Sequence, residues 1–112
     1  MSKKYYWTTG PIRSSVGYDS TLVVVSNNST VTRKIQVKFY DLGYTPKKLL
    51  IDKTLTVNPQ QVASVDTERP EVAIWEVQIS AYTRDIEVWV GGRRLNSNLP
   101  GNVLLNGQLQ RF

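Results

Sequence analysis

Two pairs of carboxylates stand two residues apart in this sequence, Asp66 with Glu68 and Asp85 with Glu87. Alternate residues of a strand share a face, so each pair has the spacing for acid–base work or for holding calcium through oxygen ligands. Both pairs abut turn signals, where charges are ordinarily solvated, and neither is expected to act as a site. Gly91-Gly92-Arg93-Arg94 has the composition of a phosphate cradle. It lacks the strand–loop–helix setting in which backbone N–H groups converge on an anion, so a bulged strand end with charged flanks is expected there. Asn28-Ser29-Thr30 matches an N-glycosylation acceptor, which has meaning only in a secreted chain.

The chain contains no cysteine and no histidine. That removes disulfides, thiol nucleophiles, Cys/His zinc sites and histidine acid–base catalysis together. Serine and threonine are plentiful, yet none has a histidine to activate it, and no local signature marks a Ser–Lys dyad. The sequence therefore predicts a non-enzymatic protein with no catalytic, metal or cofactor-binding residues.

What remains is recognition. Lys34, Lys38 and Tyr40 share the outward side of one expected strand, and Lys3, Lys4, Tyr5, Tyr6 and Trp7 mix charge with rings. Basic grooves with aromatic platforms bind single-stranded nucleic acid, and the net charge is +5, from 14 Lys+Arg against 9 Asp+Glu. Interspersed acids weigh against that reading, as does the use of lysine to protect strand edges from pairing. Trp89 falls on the polar side of its segment, and outward aromatics such as Trp89 and Tyr40 are the usual anchors of a protein interface or a sugar-stacking platform.

The elements that must carry these residues are strands. From Glu71 to Arg94 the apolar residues fall on odd numbers (Ala73, Trp75, Val77, Ile79, Ala81) and then on even ones (Ile86, Val88, Val90). Period two with β-branched and aromatic residues marks half-buried strands. The change of parity predicts a hairpin with an even-length turn, Thr83-Arg84 or Tyr82 to Asp85, pairing Ala81 with Ile86, Ile79 with Val88, Val77 with Val90 and Trp75 with Gly92. Its outer face would carry Glu76, Gln78, Ser80, Glu87 and Trp89.

Thr21 to Ser26 is a continuous apolar run, as in a central strand. In the next strand Val31, Ile35, Val37 and Phe39 face in, with Arg33 an exception. After a loop from Asp41 to Lys48, the residues Leu49, Ile51, Leu55 and Val57 face in, with Lys53 an exception. Asn58-Pro59-Gln60-Gln61 predicts a type I turn, and Val62 to Thr67 a short strand with Ala63 and Val65 inward. Leu95 to Asn102 is expected as a loop containing a type II turn at Leu99-Pro100-Gly101-Asn102. Val103 to Phe112 is expected as a final strand bulged at Gly107. Seven or eight short strands at this spacing predict an all-β, antiparallel β-sandwich, of jelly-roll or immunoglobulin-like order.

At 112 residues there is one domain's worth of chain, and 40% hydrophobic against 21% charged residues is the balance of a folded core. Residues 1–19 read as an N-terminal arm or connector and residues 20–112 as a single sandwich domain. No apolar run has the length of a membrane span. MSKKYYWTTGP has two lysines with no apolar stretch behind them, so no Sec signal peptide is expected.

The succession VVVSNNST, IQVKFYDL, KTLTVNPQQVASVD, WEVQIS, IEVWVGGR and LLNGQLQRF resembles small β-sandwich proteins of spore-forming bacteria related to the core domain of endospore-appendage (Ena-like) subunits. The most specific pieces are TLTVNP before the short VASVD strand, then EVQI and V-x-V-x-G-R, and the resemblance spans about Thr21 to Phe112. It implies a building block whose sheet edges pair between subunits into fibres, set at a spore or cell surface. Connector cysteines that cross-link such fibres are missing here. The leading expectation is a structural subunit that self-associates (a homo-oligomer or fibre) through sheet edges and the arm residues Lys3, Lys4, Tyr5, Tyr6, Trp7, Thr8 and Thr9, by β-augmentation. A carbohydrate-binding or adhesive module using exposed Trp and Tyr is the alternative, with a single-stranded nucleic-acid binder as a further one; outside a surface setting the location would be cytoplasmic.

Overall fold

A computed structural model describes residues 3–14, 17–69, 71–94, 97–105 and 109–111. The strands are β1 (Tyr5–Thr8), β2 (Ile12–Arg13), β3 (Ser20–Asn27), β4 (Arg33–Asp41), β5 (Lys48–Val57), β6 (Val62–Thr67), β7 (Ile74–Ala81), β8 (Ile86–Arg94), β9 (Ser97–Leu105) and β10 (Gln110–Arg111). The first sheet has the order β10-β1-β7-β4-β5, with β2 also on β7, and the second has the order β6-β3-β8-β9. Every pairing is antiparallel. The protein is an antiparallel β-sandwich, and among the described residues eight strands have four residues or more.

Most of the alternating residues point into one core (Ala73, ahead of β7, is exposed), but β7 and β8 do not form the expected hairpin. They lie in opposite sheets, and Tyr82 to Asp85 carries the chain from one to the other. Asp85 N donates to Thr83 Oγ1 (3.0 Å) and Asn28 N donates to Asp85 O (2.8 Å), which fixes this crossing. A parity change across four residues turns both strands' apolar sides to a shared core whether they lie side by side or face each other. Each strand found other partners: β7 sits between β1 and β4, and β8 between β3 and β9. Glu76, Gln78 and Ser80 thus face outward from the first sheet, while Glu87 and Trp89 belong to the second.

Residues 5–8 and 12–13, expected in an arm ahead of the sandwich, are strands within it. Tyr5 to Thr8 pair with Ala81 to Gln78, and Ile12 and Arg13 with Trp75 and Ile74. Four steps on the N-terminal segment therefore match three on β7, and the extra residue is absorbed around Gly10, whose φ of +65° suits a bulge. Thr9 N donates to Val77 O (3.0 Å) and Val77 N donates to Thr9 Oγ1 (3.0 Å), so a side chain replaces the missing ladder acceptor.

Other departures have local causes. In β4 and β5, Phe39 faces Ile51 but Tyr40 faces Leu49. The bulge at Leu50 moves Leu49 to the outer face, where it is 43% exposed. Val31 is also exposed, because β4 begins only at Arg33. Gln60 has φ of +61° while Gln61 N donates to Asn58 O (3.1 Å), so the turn is not type I; a positive φ at its third residue is the type II requirement. Leu99 to Asn102 lies within β9 rather than in a turn: Gly91 faces Val103 and Arg93 faces Asn98, leaving the excess of residues to bulge from that strand. Val103 to Phe112 is not one strand, since β9 ends at Leu105 and β10 joins the other sheet; the expected bulge at Gly107 lies outside the described residues.

At the centre of the core is Trp75, fully buried, with Tyr18 and Phe39 stacked at ring separations of 6.3 and 6.1 Å. Ile35, Val37, Val77, Ile79, Val23, Val25 and Val90 surround them. Among the described residues the indole Nε1 of Trp75 has no hydrogen-bond partner, so the ring contributes through packing. Trp75→Ala should cost about 3–5 kcal/mol, measured as a shift in urea unfolding. A loss under about 1 kcal/mol would place the core's centre elsewhere.

Candidate binding face on the first sheet

The N-terminal segment, β7, β4 and β5 bring their outward residues into rows. One row is Tyr6, Ser80, Gln36 and Thr54; the next is Thr8, Gln78, Lys38 and Asp52. Opposed residues in such rows have Cβ atoms about 5 Å apart, so residues distant in sequence become one surface. Lys4, Tyr6, Gln36, Lys38, Gln78 and Ser80 line a depression of about 140 Å³, with Ile79 beneath. Enclosed small-molecule pockets run from about 300 Å³ upward. This one is sized for part of an extended chain laid across the sheet.

Hydrogen bonds orient the lining. Ser80 Oγ donates to Gln36 Oε1 (3.3 Å), and Gln36 Nε2 donates to Asp52 Oδ1 (2.9 Å). Gln78 Nε2 donates to Glu76 Oε2 (3.3 Å). Glu76 is the anchor of this network. It is buried on the outer side of β7, receiving Lys47 Nζ on Oε1 (2.7 Å) and the hydroxyl of Thr8 on Oε2. It thereby ties β1 and the loop between β4 and β5 to the central strand.

Burial by itself would push the Glu76 carboxyl up; the hydrogen bonds from Lys47, Thr8 and Gln78, with the Lys47 charge, outweigh it and hold the group below its ordinary value of 4.5.

Cations sit on the tyrosine rings of this region. Lys4 Nζ is 5.5 Å from the centre of Tyr6 and 5.6 Å from that of Tyr82. Lys47 lies 4.9 Å from Tyr40 and Lys48 5.0 Å from Tyr44. Lys3 and Arg84 both approach Tyr5, at 5.4 and 5.7 Å. Such contacts are worth about 0.5–1 kcal/mol each at exposed sites.

The residues singled out in the sequence are divided by this geometry. Of the N-terminal set, Lys4, Tyr6 and Thr8 belong to the candidate face. Trp7 is buried in the core, Tyr5 packs against that core beside it (ring centres 6.4 Å apart), Lys3 covers Tyr5, and Thr9 serves the bulge. Tyr40 lies on the same sheet face, opposite Glu76, beneath Lys47.

Trp89 is on the other sheet, beside Val24, and its ring rests over Gly91; a Cβ there would lie 2.4 Å from its outer edge. Gly91 and Gly92 are residues of β8 and form no phosphate loop. Asp66, Glu68, Asp85 and Glu87 are exposed, and among the described residues no group of three metal-ligating side chains occurs. Sequence spacing did not reveal Glu76 as a buried anchor. The available signal was a carboxylate in the middle of a strand with partners on both edges.

No family model matches the chain, and no curated protein matches it. Among solved structures it is similar to the Anabaena sensory rhodopsin transducer (TM-score 0.54, 13% identity, covering 80% of this chain and 96% of that one). It is also similar to a Thermotoga maritima protein designated 1070 (TM-score 0.51, 12% identity, covering 99% and 90%). At these identities the likeness concerns the fold alone.

A carboxyl whose value is lowered by folding contributes stability above its unfolded value, and that contribution is lost as pH falls through the folded one. Stability from Glu76 should hold from neutrality down to about 4.5 and fall below it. Urea unfolding across a pH series should show that this acid limb is shallower in Glu76→Gln. An unchanged limb would mean the network does not use the charge.

Proposed function

We propose that this protein is a non-catalytic binding module that holds a polysaccharide chain against the outer face of the first sheet. The observation that carries this reading is the convergence of Tyr6, Gln36, Gln78 and Ser80 on one open depression. Sugar hydroxyls both donate and accept, and side-chain amides and hydroxyls offer both functions. The Ser80–Gln36–Asp52 chain of hydrogen bonds fixes one amide's orientation in advance, which lowers the ordering cost of binding. The ring of Tyr6, 38% exposed, adds an apolar edge for sugar C–H groups. Within the lining the Ser80 hydroxyl donates to the Gln36 amide oxygen, and Glu76 lies outside it, engaged by Lys47 and Thr8. Affinity electrophoresis through a panel of polysaccharides tests the proposal. Tyr6→Ala and Gln36→Ala should each weaken retardation about five- to tenfold, whereas Trp89→Ala should not. The reverse pattern would move the site to the second sheet.

Self-association through sheet edges is a second reading, favoured by Leu49 and Val62, 43% and 62% exposed on the edge strands β5 and β6. It agrees with the spore-appendage resemblance and a surface setting. With residues 5–8 paired in their own sheet, this reading rests on those edges rather than on the arm. Light scattering on an eluting column peak should then show oligomers that Val62→Lys disperses; a monomer at micromolar concentration would end it.

A further inference from the structure

The charges around the depression narrow the ligand class, an inference that rests on the glycan reading. Lys4 and Lys38 belong to the lining, and Lys34 stands beyond Gln36 on the same side of β4, about 13 Å from Lys38. Of the two acids nearby, one is paired with a lysine outside the depression and the other makes no ion pair with its lining. Glu76 is matched by Lys47. Asp52 stands opposite Lys38, but its carboxylate accepts from Gln36 and no ion pair joins it to the lysine. Among the described residues, neither Lys34 nor Lys38 has a carboxylate partner. The ammonium of Lys4 lies against Tyr6 and Tyr82 at the lining of the depression.

We infer that the glycan is a uronate polysaccharide, with carboxylates received by Lys4 and Lys38 while hydroxyls meet Gln36, Gln78 and Ser80. An ammonium beside an amide N–H is a natural receptor for one carboxylate. No arginine lines the depression, so the planar fork that suits sulfate and phosphate bidentately is missing there. Single-stranded nucleic acid draws much of its affinity from bases stacked on open rings, and here the faces of Tyr6, Tyr82 and Tyr40 each carry a lysine.

The test is isothermal titration of the full chain with polygalacturonate, its methyl ester, dextran and oligothymidylate. Polygalacturonate should bind, its methyl ester at least about tenfold more weakly, and Lys38→Gln and Lys4→Gln should each cost about tenfold toward the acid form only. Lys38→Arg, which keeps the charge, should recover most of that loss. Equal binding of acid and ester, with the lysine variants unchanged, would overturn the uronate class and leave the glycan reading standing. No binding to any of the three glycans would overturn both, and so would tighter binding of oligothymidylate.

Discussion

The structure depends on β7 having a partner along both edges while a sheet packs beneath it. Its inward residues, Trp75, Val77, Ile79 and Ala81, are core. Its outward residues are crowded by β1 on one side and β4 on the other, so Glu76 and Ser80 are buried too. A carboxylate in that place has to be satisfied where it stands. Lys47 from the loop after β4 and Thr8 from β1 satisfy it. The same strand thus organises the hydrophobic interior and the polar exterior.

The two outer faces of the sandwich have different chemistry as a result. On the second sheet Leu22, Val24 and Trp89 cluster outward, and the indole covers a glycine that leaves room for it. That ring is a local cover for its own sheet. The first sheet instead presents amides, hydroxyls and ammonium groups in register across four strands. The outward rings of the first sheet differ from Trp89 in carrying cations: Lys4 lies over Tyr6 and Tyr82, and Lys47 over Tyr40.

Alternation made the strands and their inward residues readable. Ile35, Val37, Phe39, Trp75, Val77, Ile79, Val88 and Val90 are all buried as the pattern predicted. What alternation cannot encode is which strand lies beside which. The parity change at Tyr82 to Asp85 is equally consistent with a hairpin and with a crossing between sheets, and pairing with β1, β4, β3 and β9 decided it. Bulges were hidden for a related reason: one inserted residue at Leu50 or Gly10 leaves composition unchanged but reverses every face beyond it. The proposed binding face was legible only in fragments. Lys38 and Ser80 could each be seen to point outward and Tyr6 to lie among lysines, but their adjacency arises from two separate pairings, β1 with β7 and β7 with β4.

β10 pairs with β1, setting Trp7 beside Arg111 and Thr8 beside Gln110. The first strand of the chain is therefore flanked by β7 and by the last strand. During synthesis β1 must wait for β7, some seventy residues later, before it has a ladder to join, and its far edge is closed only by β10, about a hundred residues later. Contacts of such sequence separation make for slow closure. The first sheet, and with it the face that carries Tyr6 and Lys4, thus closes on β10, which follows β3, β6 and β8 of the second sheet in the chain.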